Sequence, residues 1–546
     1  MKIGKKQKAS DLFVHCLEAL GVEYVFTVPG EETIDVVDSI RQSEHIKLVL
    51  LRHEQGAGFM AANYGRLTGK VGVCLVTLGP GTTNVMTSVA YAHLGGMPML
   101  TITGQKSIKE RKQGFFQLID AVGIMKPITK VSEQITSKSA IPSLLQRCFH
   151  QATIDKPGAV HLDFPEDIAQ EIGSFLPPIP LPYYTPQLPN KASLELALSK
   201  IQKASHPLFI LGPACKNRNI PAAISKLIQD KSIYFITTQM GKGVVNEHSA
   251  LYLGTTAISE GDDVHQVMQK ADLIITLGYD QVEKPAFLMT QVDVEVLHIH
   301  DHNPQPHLTY FPQSLLIGDM AYTLNYLSNH LTSRFFPLFK QFKEEKNKKI
   351  QSYQRKEKNH TYLTPLSLVA VLQNVMPEQT TLALDNGLYK LFLTRNLVAR
   401  DYLNLMLDNT LATMGAGLST AITTKMIFPD RKVVAILGDG GFMMNAQELE
   451  SATRLNIHLI ILILQDDAYG MIGWKQKKMN MPLFGISFTN PNFMYYAKAH
   501  GCHGYEVNSP KELGQLLTTC LSKKKDIHLI KVPFSYEGIE LVEKKT

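Results

Sequence analysis

Between residues 21 and 104 the chain repeats one pattern. A short apolar run rich in β-branched residues is followed by a tight turn and then by a stretch with helical spacing of apolar positions. The runs VEYVFTV, IKLVLL, VGVCLVTL and PMLTIT end at Pro29-Gly30, Arg52-His53-Glu54, Gly79-Pro80-Gly81 and Gly104-Gln105. Near-continuous apolar strands separated by helices predict βαβ units and a parallel sheet covered on both faces. A second block repeats the grammar with LFILG, SIYFITT, ADLIITLGY and VEVLHIH, and a third, from about Thr364, with TLALD, KVVAILG and HLIILIL.

The predicted fold is therefore α/β, with three doubly wound parallel-sheet domains over residues 1–180, 191–340 and 361–546. LPPIPLPYYTPQLPN, from Leu176 to Asn190, holds six prolines and can continue neither a helix nor a central strand, so it reads as a linker. The middle block contains no GxGxxG, and no dinucleotide site is written in it. The first and third blocks look related. Because parallel sheets bind ligands at the carboxyl ends of their strands, the pattern points to a site built from the outer two blocks.

Composition narrows the function classes. With 546 residues, 44% apolar and 19% charged, the chain can bury several cores and is not a disordered polymer. A net charge of +6 without a dense basic stripe gives no reason to expect nucleic acid. The lysine-rich run from Lys340 to Lys358 includes Glu344, Glu345 and Glu357, which suits a solvated helix face or linker. Six scattered cysteines without a CxxC pair read as reduced, buried thiols. MKIGKKQKASDLF leads into no apolar core segment, and the most apolar stretch, from Ile457 to Leu464, is too short to span a bilayer; a cytoplasmic protein with no membrane partner is expected.

Candidate chemistry sits at strand ends. Gly438-Asp439-Gly440-Gly441-Phe442 directly follows the strand KVVAIL and precedes a helical pattern, NAQELESATRL. Small residues allow a phosphate close to the backbone, and Asp439 offers the hard oxygen that Mg²⁺ prefers. The next strand ends at Gln465-Asp466-Asp467-Ala468-Tyr469-Gly470, which predicts Asp466 near Asp439 if the two strands are neighbours. In the first block Glu54 follows KLVLL and opens a helix, and Gly79 to Asn84 forms another strand-to-helix turn. His298-Ile299-His300-Asp301-His302 has the composition of a metal cluster. Alternation puts His298 and His300 on one strand face, but a strand running into a polar turn explains the run, and no zinc site is expected there.

Taken together, these residues resemble the thiamine diphosphate (ThDP) enzymes and, within them, the acetolactate synthase family. The likeness rests on the GDG motif with Asp466 27 positions after Asp439, on FTVPGEE from Phe26 to Glu32, and on RHEQGA from Arg52 to Ala57. It also rests on Leu78 to Gly81, Phe116-Gln117, Thr413-Met414-Gly415 and Gln447-Glu448-Leu449. The resemblance implies a pyrimidine-binding first domain, a central domain and a diphosphate-binding third domain. It implies decarboxylation of pyruvate and its joining to a second pyruvate to give 2-acetolactate and CO₂, with ThDP and Mg²⁺ as cofactors.

The same resemblance assigns roles. Glu54, Gln117 and Met414 take catalytic positions, and Phe116 with Gln117 faces the substrate. Gly30, Glu54, Met414, Gly438, Asp439, Gly440, Gly441, Tyr469, Gly470 and Met471 contact the cofactor. Asp439, Asp466 and the Ala468 carbonyl ligate the metal. A homodimer or homotetramer with the site at the subunit interface is implied, and a regulatory subunit is left open. Four departures stand out. Asp466 replaces the family's usual Asn, and Ala412 stands where Gly is usual. Gly278-Tyr279-Asp280-Gln281-Val282-Glu283 replaces the flavin-associated segment of the biosynthetic synthases, so FAD is not expected to be required. Trp474, the sole tryptophan, lies one position short of the residue that favours 2-ketobutyrate in those enzymes, which leaves pyruvate as the expected acceptor. The alternatives are another ThDP-dependent 2-oxo-acid decarboxylase and a pyruvate oxidase.

Overall fold

The computed structural model describes residues 6–109, 114–173, 186–216, 219–291, 293–334, 336–357 and 363–537. Most of the proline-rich stretch before residue 186 lies outside them. Three six-stranded sheets carry the fold, and every strand pair within them is parallel.

The first sheet comprises β1 (Tyr24–Thr27), β2 (Lys47–Leu50), β3 (Gly72–Val76), β4 (Met99–Gln105), β5 (Ser132–Gln134) and β6 (Ala159–Pro165), in the order β2-β1-β3-β4-β6-β5. The second comprises β7 (Pro207–Leu211), β8 (Phe235–Thr237), β9 (Tyr252–Thr255), β10 (Leu273–Leu277), β11 (Glu295–His300) and β12 (Ser314–Ile317), ordered β9-β8-β7-β10-β11-β12. The third has β13 (Thr380–Leu384), β14 (Leu405–Met406), β15 (Lys432–Gly438), β16 (Leu459–Gln465), β17 (His503–Glu506) and β18 (Ile527–Pro533). Its order, β14-β13-β15-β16-β18-β17, repeats that of the first sheet position for position. The middle sheet has the order in which two three-strand halves run outward from the centre, the arrangement of dinucleotide-binding folds. The shared grammar of the outer blocks is thus a shared topology.

Apolar runs without alternation arise because both faces of each sheet are covered. In β7, Phe209 and Leu211 pack with Ile275, Leu277 and Leu297 on one face, while Leu208 and Ile210 pack with Ile274 and Val296 on the other. Burying each such side chain contributes roughly 1.5–3 kcal/mol before conformational entropy is subtracted.

The chain forms two compact units. One gathers Met1–Tyr184, Leu411–Pro429 and Met444–Ile457; the other gathers Thr185–Thr410, Asp430–Met443 and His458–Thr546. The lysine-rich run lies, up to Glu357, in a helix, Pro337–Glu357, but it is not wholly a solvated face. Lys343 and Lys346 donate to the carbonyls of Tyr252 and Leu253, satisfying groups of an edge strand, and burial pushes the Lys346 ammonium down to about 8. All six cysteines are buried, and none of them forms a disulfide. Among the described residues, no helix is long and apolar enough to cross a membrane.

Candidate functional site

In the first unit the predicted residues collect at the carboxyl ends of β1, β2 and β3. Glu54 is the first residue of helix α1 (Glu54–Thr68), as the sequence indicates, and the His53 ring caps the helix by accepting the Gln55 N–H at 3.1 Å. The half-buried Glu54 carboxylate accepts a hydrogen bond from Asn84 Nδ2 at 2.9 Å. Asn84 lies in helix α2 (Pro80–Leu94), which begins at the predicted Gly79 turn. Gly79 has φ 54°, and a Cβ there would lie 3.0 Å from the Gln117 carbonyl oxygen, so the glycine admits the Gln117 turn. Gln117 itself has φ 58°, a conformation that costs a non-glycine residue free energy and recurs at functional sites. Phe116 beside it is 65% exposed, an apolar ring facing solvent in the single chain. Gly30 sits on Thr77: a Cβ would lie 2.4 Å from the Thr77 Cβ.

The turn bearing Glu54 is held from beneath. Fully buried Glu448, in helix α4 (Glu448–Arg454) of the same unit, accepts the N–H groups of Arg52 at 3.2 Å and His53 at 3.1 Å, and the Ser451 hydroxyl at 2.6 Å. Burial pushes its carboxyl above the ordinary range. Asn445 donates to the Gly415 carbonyl at 3.0 Å and to Gln55 Oε1 at 3.2 Å, joining the neighbour of Met414 to the neighbour of Glu54. Met414 is half-buried. Asn445 had no signal of its own in the sequence, and Glu448 only its place in a family segment.

Ala412, two residues before Met414, has φ 54°. An L-residue with a Cβ pays about 1–2 kcal/mol for this left-handed conformation. Ala412→Gly is expected to raise stability by about 1 kcal/mol, the relief of strain less the extra freedom glycine gives the unfolded chain. The urea midpoint of unfolding at constant slope measures it.

In the second unit β15 and β16 are adjacent, with Gly438 opposite Leu464, and the loops after them bring Asp439 and Asp466 together as predicted. The helix after the GDGG segment differs from expectation. It starts at Asp439 itself, ends at Met444 as α3 (Asp439–Met444), and is separated by a turn from α4, so NAQELESATRL is not one helix. The Gly438 N–H donates to Tyr389 Oη at 3.0 Å. Asp439 is 1% exposed; its Oδ1 accepts the Gly440 N–H at 2.9 Å, and its Oδ2 accepts the Asp467 N–H at 2.9 Å and Asn490 Nδ2 at 2.8 Å. Burial raises the Asp439 carboxyl. Burial first, and then the charge of Asp439, push Asp466 up to about 7.

A buried carboxyl, Asp439, that raises a half-buried neighbour, Asp466, can seat a cation, because a divalent ion reverses both burial and repulsion as causes of that shift. Space beside them is kept by glycine. A Cβ on Gly470 would lie 3.0 Å from Asp466 Oδ2, and one on Gly440 would lie 3.0 Å from the Tyr469 ring and 3.2 Å from the Phe488 ring. Ala468 pairs with Ser487 in an isolated bridge, and its carbonyl accepts the Gly470 N–H at 3.1 Å. Tyr469 caps helix α5 (Gly470–Lys478), in which half-buried Met471 and Trp474 pack toward Leu388, Leu391 and Phe392. Gly441 is buried within α3. Asn490, 51 residues from Asp439, was not foreseen: its amide bridges Asp439 and Asp467, and its Oδ1 is buried without a hydrogen-bond partner among the described residues, an oxygen fit to face a cation.

Comparison with known proteins follows the three sheets. Residues 7–124 match the thiamine pyrophosphate enzyme N-terminal TPP-binding domain, residues 194–327 the central domain, and residues 385–532 the C-terminal TPP-binding domain. Fold and matches define a thiamine diphosphate enzyme. Acetolactate synthase of Bacillus subtilis (strain 168) is 29% identical over 553 residues, covering 99% of this chain and 95% of the relative. The catabolic acetolactate synthase of Raoultella terrigena is 30% identical over 519 residues, covering 94% and 92%. A probable acetolactate synthase large subunit of Methanococcus aeolicus is 28% identical over 542 residues, covering 94% and 90%. The chain belongs to the acetolactate synthase family.

Proposed function

We propose that the protein is an acetolactate synthase: it decarboxylates pyruvate and joins the two-carbon unit to a second pyruvate, giving 2-acetolactate and CO₂. The observation that carries this reading is the presence, in a chain of this family, of a carboxylate at a helix start, Glu54, and of the carboxyl groups of buried Asp439 and half-buried Asp466 at the ends of two neighbouring strands. ThDP, when bound, supplies the acidic C2 position at which 2-oxo acids lose CO₂.

This chain's residues have defined tasks toward it. Asp439, Asp466 and the Ala468 carbonyl would hold Mg²⁺, with the backbone of Gly438, Gly440 and Gly441 and the Tyr469 to Met471 turn near the diphosphate. Glu54, steadied by Asn84, would hold or release a proton at the pyrimidine. Met414 would support the ring pair from below, and Gly30 would leave room beside the ring. Phe116 and Gln117 would shape the acceptor side. The domain limits 1–180, 191–340 and 361–546, the homodimer or homotetramer, and operation without FAD in the cytoplasm belong to the same reading. FAD independence is supported by Gly278 to Glu283, which departs from the flavin-associated segment.

Purified protein given pyruvate, ThDP and Mg²⁺, without flavin, is expected to form acetolactate, detected as acetoin after acid treatment against an unacidified control. Acetaldehyde or acetate as sole product would replace this reading with a decarboxylase or an oxidase.

A further inference from the structure

The run from His298 to His302 lies at the carboxyl end of β11, outside the residues assigned above, and the structure brings together what spacing alone did not. His298 and His300 stack on one strand face with ring centroids 5.5 Å apart, as alternation requires. His298 is engaged inward, its Nδ1 lying 2.7 Å from the Tyr310 hydroxyl and 3.2 Å from Thr276 Oγ1. Beyond the strand end the chain turns, and His302 swings back so that its ring centroid lies 3.9 Å from that of His300. Both imidazoles then aim Nδ1 at one atom: Asp301 Oδ1 is 2.6 Å from His300 Nδ1 and 2.7 Å from His302 Nδ1. Each of the three residues thus offers a ligand atom, all within 4.8 Å of one another.

Hydrogen bonding does not satisfy this arrangement. His300 Nδ1 faces the Asp301 oxygen at 2.6 Å and also the Asp301 N–H at 2.9 Å. A proton on that nitrogen suits the carboxylate and opposes the N–H; its absence suits the N–H and sets two lone pairs against each other. A cation between the nitrogen and the oxygen removes the lone-pair contact. Burial is graded in the way an ion site needs, with His300 3% exposed, His302 27% and Asp301 26%, so one side is anchored and the other open to water.

We propose that His300, Asp301 and His302 form a transition-metal site in the central sheet, distinct from the Asp439–Asp466 seat. Two imidazoles and one carboxylate suit Zn²⁺ or Co²⁺ in a tetrahedral arrangement with a water as fourth ligand, whereas Mg²⁺ takes oxygen ligands. Tetrahedral metal–ligand bonds of about 2.0–2.2 Å put ligand atoms about 3.4 Å apart, so each nitrogen–oxygen contact must lengthen by roughly 0.7–0.8 Å, within the reach of a turn open to solvent on one side.

The test uses tag-free, chelator-dialysed whole protein with saturating ThDP and Mg²⁺ to fill the other seat. Zn²⁺ titration by calorimetry, with Co²⁺ absorption as the ligand-field readout, is expected to show one saturable ion per chain. His302→Gln and Asp301→Asn are each expected to weaken binding by tenfold or more with unchanged circular dichroism, while His307→Gln, an exposed neighbour, leaves it intact. Absence of saturable binding, or equal binding by the wild type and both variants, would overturn the proposal. So would loss of the ion on Asp466→Asn.

Discussion

Glu54→Gln is expected to slow pyruvate consumption by about a thousandfold while the protein stays folded, because a positioned proton-transfer group contributes on the order of 10²–10⁴ in rate. Glutamine has the same shape and can still take the Asn84 hydrogen bond through its carbonyl oxygen. Only the charge and the capacity to exchange a proton are lost. The cost to the fold is confined to a favourable charge at the N-terminus of α1, about 0.3–1 kcal/mol. Single-turnover pyruvate depletion beside a thermal melt separates the two effects. A variant within tenfold of wild type would remove Glu54 from the chemistry.

The second large effect concerns Asp466. Its carboxyl, at about 7 in the folded chain, lies well above the value of about 3.9 for an unfolded aspartate. The proton is therefore held more tightly in the folded state. Its stabilising contribution is complete below about pH 4 and is lost as pH rises through 7, where burying the charge opposes folding. At pH 8 the metal-free Asp466→Asn variant is expected to be more stable than wild type by about 2 kcal/mol, a figure discounted for partial exposure of the site. At pH 4 the two should converge. Metal reverses the ranking of need: wild type gains more from Mg²⁺, so its ThDP affinity should depend on Mg²⁺ more steeply than that of the variant. Calorimetric ThDP titrations at several Mg²⁺ concentrations decide this, and equal or greater dependence in the variant refutes it.

Eleven of the strands were legible as apolar runs, and the missed ones show what hides a strand. β6 reads AVHLDFP, fully buried yet interrupted by His161 and Asp163. Those two side chains are satisfied only across the sheet, by Thr103, Ser132, Gln105 and Gln134, so the polar positions cannot be recognised as core from the local sequence. Glu54, Gly79 and Asp439 were legible for the opposite reason: each comes within four residues of the end of an apolar strand, and parallel topology fixes such positions at the carboxyl edge of their own sheet. Asn490 and Asn445 were not, because their partners are set by tertiary packing. The break between α3 and α4 was likewise hidden, since no glycine or proline interrupts MMNAQELE.

The discontinuous first unit has a consequence for synthesis. Its pieces from Leu411–Pro429 and Met444–Ile457 leave the ribosome long after residue 184 has emerged. At roughly 5–20 residues per second the first sheet must wait on the order of 15–55 s for Glu448 to reach the turn at Arg52 and His53. During that interval the nascent N-terminal portion exposes the surface those helices later cover, and a holding chaperone would shield that surface until they arrive.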